Sequence, residues 1–240
     1  MSAAEIKRLL QRIEAAKEEG EIDLAVELSG KVLVLDADNI LARMNLADIA
    51  LEEGDAERVL ELGQEILDRE PDHEEALLLM AEGFLAIDDP ERAVEMTDRL
   101  LRMDPNNLEA RYYLAEALLD LGGAREAAEL YESIVEEQPD HAPSLLGLGV
   151  SLYESCQFDA AMQSLEEALE LEDDMADAHF FIGLILERRG DEVGARRVFK
   201  LARDLDPEAY PPPIKLGIEE FEQVVEGVLL ALPEKLRNYL

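Results

Sequence analysis

The chain has 240 residues, of which 57 are acidic and 22 basic, and its formal net charge is -35. A surface this negative repels the phosphates of nucleic acids and of anionic bilayers, so neither is an expected partner. The single cysteine, Cys156, cannot form an internal disulfide, and no apolar run is long enough to span a bilayer. We therefore expect a cytoplasmic protein.

A pattern of small and large residues recurs every 34 residues from Ile6 to Ala209, without insertion or deletion. The eighth and twentieth positions are mostly small, as Gly183 and Ala195 are in the last copy, which suits the close crossing of two helices. The fifteenth position is glycine in four of the six copies, and the thirty-second is proline in four. Because these residues end helices, each copy predicts a helix-turn-helix hairpin.

This period and pattern resemble the tetratricopeptide repeat family. The resemblance implies an all-α, right-handed superhelical solenoid over residues 1–209, with repeats at 6–39, 40–73, 74–107, 108–141, 142–175 and 176–209. The family's usual aromatic residue at the fourth position is absent, so that pocket must be packed differently. The residues found there are Leu9, Arg43, Leu77, Arg111, Leu145 and His179.

In the resembled family, positions two, five, nine, twelve and thirteen line the inner groove. Here the fifth position is apolar in all six copies, and the thirty groove positions hold twelve acids and three bases. We therefore expect an apolar groove with an acidic margin. The predicted peptide-binding residues are Leu10, Met44, Asp48, Leu78, Glu82, Tyr112, Glu116, Leu146, Val150, Phe180 and Leu184.

Such a groove predicts a non-catalytic protein-protein interaction scaffold that binds a basic, partly apolar peptide or helix in its concave groove. The alternative reading is that the apolar residues pack against neighbouring hairpins and that the acids form an ordinary solvated face. No catalytic, cofactor-binding or metal-binding residue is predicted. His73 and His141 should be too far apart to share an ion, His179 is expected to be packed, and Cys156 is expected to be an inert turn residue.

The period ends at Tyr210, and the three prolines that follow predict a linker over residues 210–217. Capping helices are expected over residues 218–240, laid on the sixth repeat, because apolar residues there share one helical face. That face comprises Ile218, Phe221, Val225, Val228, Leu229 and Leu232.

Residues 219–240 also resemble the opening helices of a bacterial zincin-like metallopeptidase domain, but the H-E-x-x-H zinc-binding helix is absent from this chain. Two alternative functions follow. The chain could be an N-terminal recruitment arm of a metallopeptidase whose catalytic part lies outside it, or a self-associating scaffold whose C-terminal helix docks in a neighbour's groove.

Overall fold

A computed structural model describes residues 3–212 together with residues 221, 223, 225, 226, 228 and 229. Residues 3–212 form twelve α-helices and no strand, and the helices pair into six hairpins. The hairpins are α1 (Ala3–Glu18) with α2 (Ile22–Leu35), α3 (Ile40–Glu52) with α4 (Ala56–Leu67), α5 (Glu74–Ala86) with α6 (Pro90–Met103), α7 (Leu108–Asp120) with α8 (Ala124–Glu137), α9 (Ala142–Glu154) with α10 (Phe158–Leu171), and α11 (Ala176–Arg188) with α12 (Glu192–Leu205).

Every hairpin turns at the fifteenth position of its repeat, as the sequence predicts. The four glycines there, such as Gly20, have φ between 73° and 80°, and Asp88 and Cys156 have φ of 59° and 61°. This left-handed conformation favours glycine, so the two other residues adopt it at a cost of about 1 kcal/mol each. The packing of the two helices on either side of the turn therefore requires the left-handed conformation at this position, whichever residue occupies it.

Polar side chains cap most of the helix starts. Asn39, Asp55, Asp89, Asn107 and Asp191 each accept a hydrogen bond from the backbone N–H three residues further on. His73 and His141 do the same through Nδ1, at the starts of α5 and α9. These caps satisfy donors that have no partner within the helix, so the two loop histidines have a structural role that the sequence reading missed.

The small residues lie where the two helices of a hairpin cross, as the sequence predicts. All twelve residues at positions eight and twenty are buried. A Cβ added to Gly149 would lie 2.6 Å from Leu165, and one added to Gly183 would lie 2.5 Å from the Phe199 ring. The glycines therefore admit the large residues of the second helix, so that the hairpin interior is filled at close packing.

The fourth position is packed in two different ways, which the sequence reading left open. Leu77 and Leu145 are buried, whereas Arg43 and Arg111 extend to their own second helix and to the preceding loop. Arg111 donates to both carboxylate oxygens of Glu137 at 2.8 and 2.9 Å and to the Asn106 carbonyl at 3.3 Å. The arginines therefore hold the second and fourth hairpins to the loops that precede them.

The six hairpins stack side by side, so the buried core runs along the array in four clusters. Each first helix contacts the first helix of the next hairpin, from α1 with α3 to α9 with α11. These first helices form one continuous layer, and the groove was predicted on the open side of that layer. The predicted all-α helical-repeat solenoid is confirmed.

The C-terminal prediction lies mostly outside the described residues. Four described side chains of the predicted helix, Phe221, Val225, Val228 and Leu229, are 38% to 59% exposed. Its packing on the sixth repeat stays a prediction, as does the linker beyond Pro212. Among the helices that the structure describes, none is both long and apolar enough to cross a membrane.

Candidate binding groove

Two adjoining depressions lie along the layer of first helices, with volumes of ≈ 480 and ≈ 330 Å³. The first, called the acidic depression, spans repeats one to four and is lined by Glu14, Lys17, Leu41, Met44, Asn45, Asp48, Glu75, Leu78, Leu79, Glu82, Glu109 and Tyr113. The second, called the apolar depression, spans repeats three to six and is lined by Leu85, Tyr112, Glu116, Leu119, Asp120, Tyr131, Pro143, Leu146, Gly147, Val150, Asp177 and Phe181.

Eight of the eleven predicted groove residues line these depressions. Met44, Asp48, Leu78 and Glu82 lie in the acidic depression, and Tyr112, Glu116, Leu146 and Val150 lie in the apolar depression. The other three are Leu10, Phe180 and Leu184. Leu10 packs against the core of the first hairpins, and Leu184 lines neither of the two depressions.

The sequence reading missed the sixth position of repeats two to six, which also faces the groove. Asn45, Leu79, Tyr113, Gly147 and Phe181 occupy it and line one or other depression. Positions two, six, nine and thirteen are spaced by four, three and four residues, so they form one stripe on a helix. Helical spacing alone could therefore have added these residues to the prediction.

The acidic depression contains five carboxylates and one cation, Lys17. The Lys17 ammonium donates to Asp48 Oδ2 at 2.9 Å and to Asn45 Oδ1 at 3.3 Å, across the first two repeats. Glu82 accepts a hydrogen bond from the Tyr113 hydroxyl at 2.8 Å, between the third and fourth repeats. Two of the position-nine carboxylates, Asp48 and Glu82, therefore accept hydrogen bonds from donors in adjoining repeats.

The apolar depression holds a partly buried carboxylate. Burial raises the pKa of Glu116, and Asp120 and Glu82 raise it further, while the hydrogen bond from the Tyr112 hydroxyl at 2.8 Å lowers it. The Tyr112 ring packs edge-on against Tyr131, with 5.9 Å between ring centroids. The negative charge of Glu116 is thus held in a wall that is otherwise mainly aliphatic and aromatic.

Beyond the apolar depression, the chain's own Tyr210 covers the groove. Its ring stacks on Phe180 with 4.5 Å between centroids and 26° between planes, and its hydroxyl donates to Asp177. Phe180, Phe199, Arg203, Ala209, Tyr210 and Pro211 line the small depression that remains there. The sequence reading placed Phe180 in an open groove, whereas in the structure its ring is stacked on residue 210.

A separate outer cleft lies on the opposite side of the array, between α8 and α10. Its lining includes the exposed Glu129, Glu132 and Glu136 together with Arg125, above a floor of Leu145, Leu148 and Leu152 from α9. Acidic character is therefore shared by both sides of the array. The outer cleft provides a matched surface on which to test whether any effect of charge is local to the groove.

The groove offers binding chemistry: carboxylates that accept hydrogen bonds from cations, beside apolar and aromatic walls. Across the part of the chain that the structure describes, no three histidine, cysteine, aspartate or glutamate side chains are grouped so as to hold a metal ion. Stacked hairpins with such a groove define the class of helical-repeat interaction scaffolds.

Comparison with known families identifies the kind of repeat. Two family models, both of the tetratricopeptide repeat, match residues 50–102 and 84–149 and residues 146–210. The chain belongs to the tetratricopeptide repeat family, whose members are in general non-catalytic scaffolds for protein or peptide partners. A comparison with curated proteins finds no match.

Solved structures share the fold at low sequence identity. A tetratricopeptide repeat protein from Parabacteroides merdae has a TM-score of 0.69 at 18% identity, over 94% of this chain and 84% of that one. PilF of Pseudomonas aeruginosa has a TM-score of 0.69 at 15% identity, over 92% of this chain and 97% of that one. YrrB, described as a tetratricopeptide repeat protein with an unusual peptide-binding site, has a TM-score of 0.57 at 19% identity, over 77% and 95%. At these identities the likeness concerns the fold.

Proposed function

We propose that the chain is an interaction scaffold that binds a basic, partly apolar peptide or helix of a partner protein along the two depressions. The observation that carries this proposal is the composition of the groove: eight acidic residues line the two depressions, against one basic residue, Lys17. Between the carboxylates lie apolar residues such as Leu78 and Leu146. A basic amphipathic segment matches both properties, because its charges and its apolar face each meet a complement.

The contact of Lys17 with Asp48 illustrates the recognition. An ammonium group that belongs to one repeat is bound by a carboxylate and an amide oxygen of the next. A carboxylate can accept about four hydrogen bonds, so Glu82 and Glu116, which each accept one from a tyrosine, keep capacity for a lysine or arginine of a partner. YrrB, which shares the fold, is described as having a peptide-binding site, and this agrees with the proposal.

A labelled amphipathic helix of lysine and leucine is a suitable probe, and its binding can be measured by fluorescence anisotropy. The double variant Glu82→Lys with Glu116→Lys should weaken binding about tenfold or more, since it replaces attraction by repulsion at the contact. The control, Glu129→Lys with Glu132→Lys, changes the net charge equally but lies in the outer cleft, so it should weaken binding much less. Equal weakening by both pairs would show that only the overall charge matters and that the groove is not the site.

Two further measurements separate the charged and apolar contributions. Binding should weaken with added salt without vanishing, because screening acts on the charges and leaves the apolar contact. Tyr112→Ala should mainly speed dissociation, since an aromatic anchor can be worth ~2 kcal/mol or more. The metallopeptidase-arm and self-association alternatives stay predictions. The first is tested by looking for H-E-x-x-H in an extended reading frame, and the second by light scattering.

A further inference from the structure

The two depressions differ in character along the array, and this difference restricts how a partner can lie. The acidic depression has five carboxylates among its twelve lining residues, including Glu75 and Glu109 near its rim. The apolar depression has three, and the rest of its wall is mainly aliphatic and aromatic and includes Leu146, Val150 and Phe181. Charge and apolar surface are therefore separated along the groove.

We infer that a bound partner segment lies in one placement only, with its basic part in the acidic depression of repeats one to four and its apolar part in the apolar depression of repeats three to six. This inference rests on the proposed function and adds the polarity of the partner. The occupant is accordingly a segment with a lysine- or arginine-rich block next to an apolar block, rather than one in which the two kinds of residue are evenly mixed.

The reversed placement of the partner is energetically unfavourable in both depressions. A lysine block seated against Leu146 and Phe181 would find only three carboxylates in the apolar depression, and its remaining ammonium groups would give up hydration to an apolar wall without gaining hydrogen bonds. A leucine seated over Asp48 and Glu82 would remove water from carboxylates and return no donor. The position of Lys17 beside Asp48 agrees with a basic block in the acidic depression, because that depression already binds an ammonium group of the chain itself.

The far end of the groove limits the apolar block. Tyr210 stacks on Phe180 and donates to Asp177, at the border of the apolar depression. Because Pro211 follows directly, the chain itself forms the wall at that end. An apolar block therefore has its contacts at Leu146, Val150 and Phe181, short of the Phe180 ring that Tyr210 covers.

Disulfide cross-linking in the full chain tests the placement. The probe is a synthetic peptide of six lysines followed by an equal block of alternating leucine and alanine, with a cysteine at one end or the other. Reporter cysteines are introduced in a Cys156→Ser background: Leu41→Cys or Glu75→Cys in the acidic depression and Pro143→Cys in the apolar depression. Glu132→Cys in the outer cleft is the control, and circular dichroism verifies that each variant is folded.

A peptide with cysteine at its lysine end should cross-link to residue 41 or 75 at least about tenfold faster than to residue 143, and one with cysteine at its apolar end should show the opposite preference. If both peptides react equally fast at both depressions, but faster than at residue 132, the single placement is wrong and the proposed function stands. If neither depression reacts faster than residue 132, the proposed function fails and the placement fails with it.

Discussion

Glu116 is a groove residue whose charge lowers the stability of the folded protein but suits the groove to binding a cation. Its carboxylate accepts from the Tyr112 hydroxyl at 2.8 Å, yet it lies among apolar side chains such as Leu146 and Val150 that line the same depression. Burial therefore raises the pKa of Glu116, which means that its ionised form is destabilised in the folded state. A charge retained at that cost is suited to meeting a cation, which would restore part of the lost solvation.

A stability measurement follows from the direction of this pKa shift. As the pH falls, the folded protein takes up the Glu116 proton before the unfolded chain does. The ionised group therefore lowers the free energy of unfolding by the full amount above the raised pKa, and this penalty diminishes below the raised pKa and is lost below the ordinary one. Glu116→Gln keeps an acceptor for Tyr112 and should melt at a higher temperature than the wild type at about pH 7. Calorimetry should show this difference shrinking as the pH is lowered toward 4.5, the ordinary pKa of a glutamate.

The control for Glu116→Gln is Glu132→Gln in the outer cleft, which should change the melting temperature little across the same range. A difference between Glu116→Gln and the wild type that is constant or grows toward acid would contradict the account, because it would locate the effect outside the titration of this carboxyl.

The close contact between α8 and α9 leads to a second prediction about a single residue. A Cβ on Gly147 would lie 2.4 Å from the ring of Tyr131, which is 1% exposed. Gly147→Ala should therefore destabilise the protein by ~1–3 kcal/mol. Gly30→Ala in α2 is the matched control: its Cβ would meet nothing within 4 Å, and it should stabilise by ~0.5–1 kcal/mol through helix propensity. Urea denaturation measures both, and a loss at residue 30 as large as that at residue 147 would refute the packing argument.

At the scale of the element, Arg111 joins three parts of one repeat. It extends from α7 to Glu137 at the end of α8 and to the Asn106 carbonyl in the loop before α7. Its guanidinium also lowers the pKa of the Glu137 carboxyl, through a hydrogen bond first and through charge second. Arg43 makes the corresponding contacts in the second repeat, with Glu65 and with the Ala37 carbonyl. The alternation of leucine and arginine at this position therefore alternates apolar packing with hydrogen bonding between helices.

Arg111→Ala should lower the melting temperature by roughly 3–6 °C, because hydrogen bonds to a charged group are lost from a buried site. Arg125→Ala, on the exposed side of α8, removes the same charge and should lower it by much less. Hydrogen exchange should also speed up in the loop at residues 104–107 in the first variant alone. Unchanged exchange in that loop would show that Arg111 does not hold it.

At the scale of the whole molecule, the excess of negative charge opposes compaction. The chain has 57 acids and 22 bases, and most of the ion pairs among the described residues have at least one partner that is about half exposed or more. Such pairs contribute little, whereas the repulsion among unpaired acids is felt over a Debye length. Added salt should therefore weaken the repulsion among the acidic residues more than it weakens the attraction within the ion pairs.

The melting temperature should therefore rise as sodium chloride is increased from about 10 mM to about 0.2 M, where the Debye length falls below about 8 Å. The triple variant Glu129→Lys, Glu132→Lys and Glu136→Lys reduces the excess negative charge on the outer side and should show a smaller rise. A melting temperature that falls with salt would mean that ion pairs such as Lys17 with Asp48 outweigh the general repulsion.

The sequence by itself determined the repeat, because the information is local to each 34-residue unit. A glycine at the turn, small residues at positions eight and twenty and a proline after the second helix act within one hairpin, and the structure shows each of them in that role. The layer of first helices followed from the same period, so eight of eleven predicted groove residues line the depressions. Even the turns at Asp88 and Cys156, where glycine is missing, were correctly located.

Which side chains meet across repeats depends on the three-dimensional packing of the helices. Lys17 contacts Asp48, Tyr113 contacts Glu82 and Tyr210 contacts Asp177, over separations of 31 to 33 residues. A separation close to one period says that two residues occupy nearby positions of adjoining repeats, but rotamers and helix spacing determine whether their polar atoms come within hydrogen-bonding distance. The division of one predicted groove into an acidic and an apolar depression, and the covering of Phe180 by the chain's own Tyr210, arise from those distances and are therefore absent from the linear pattern.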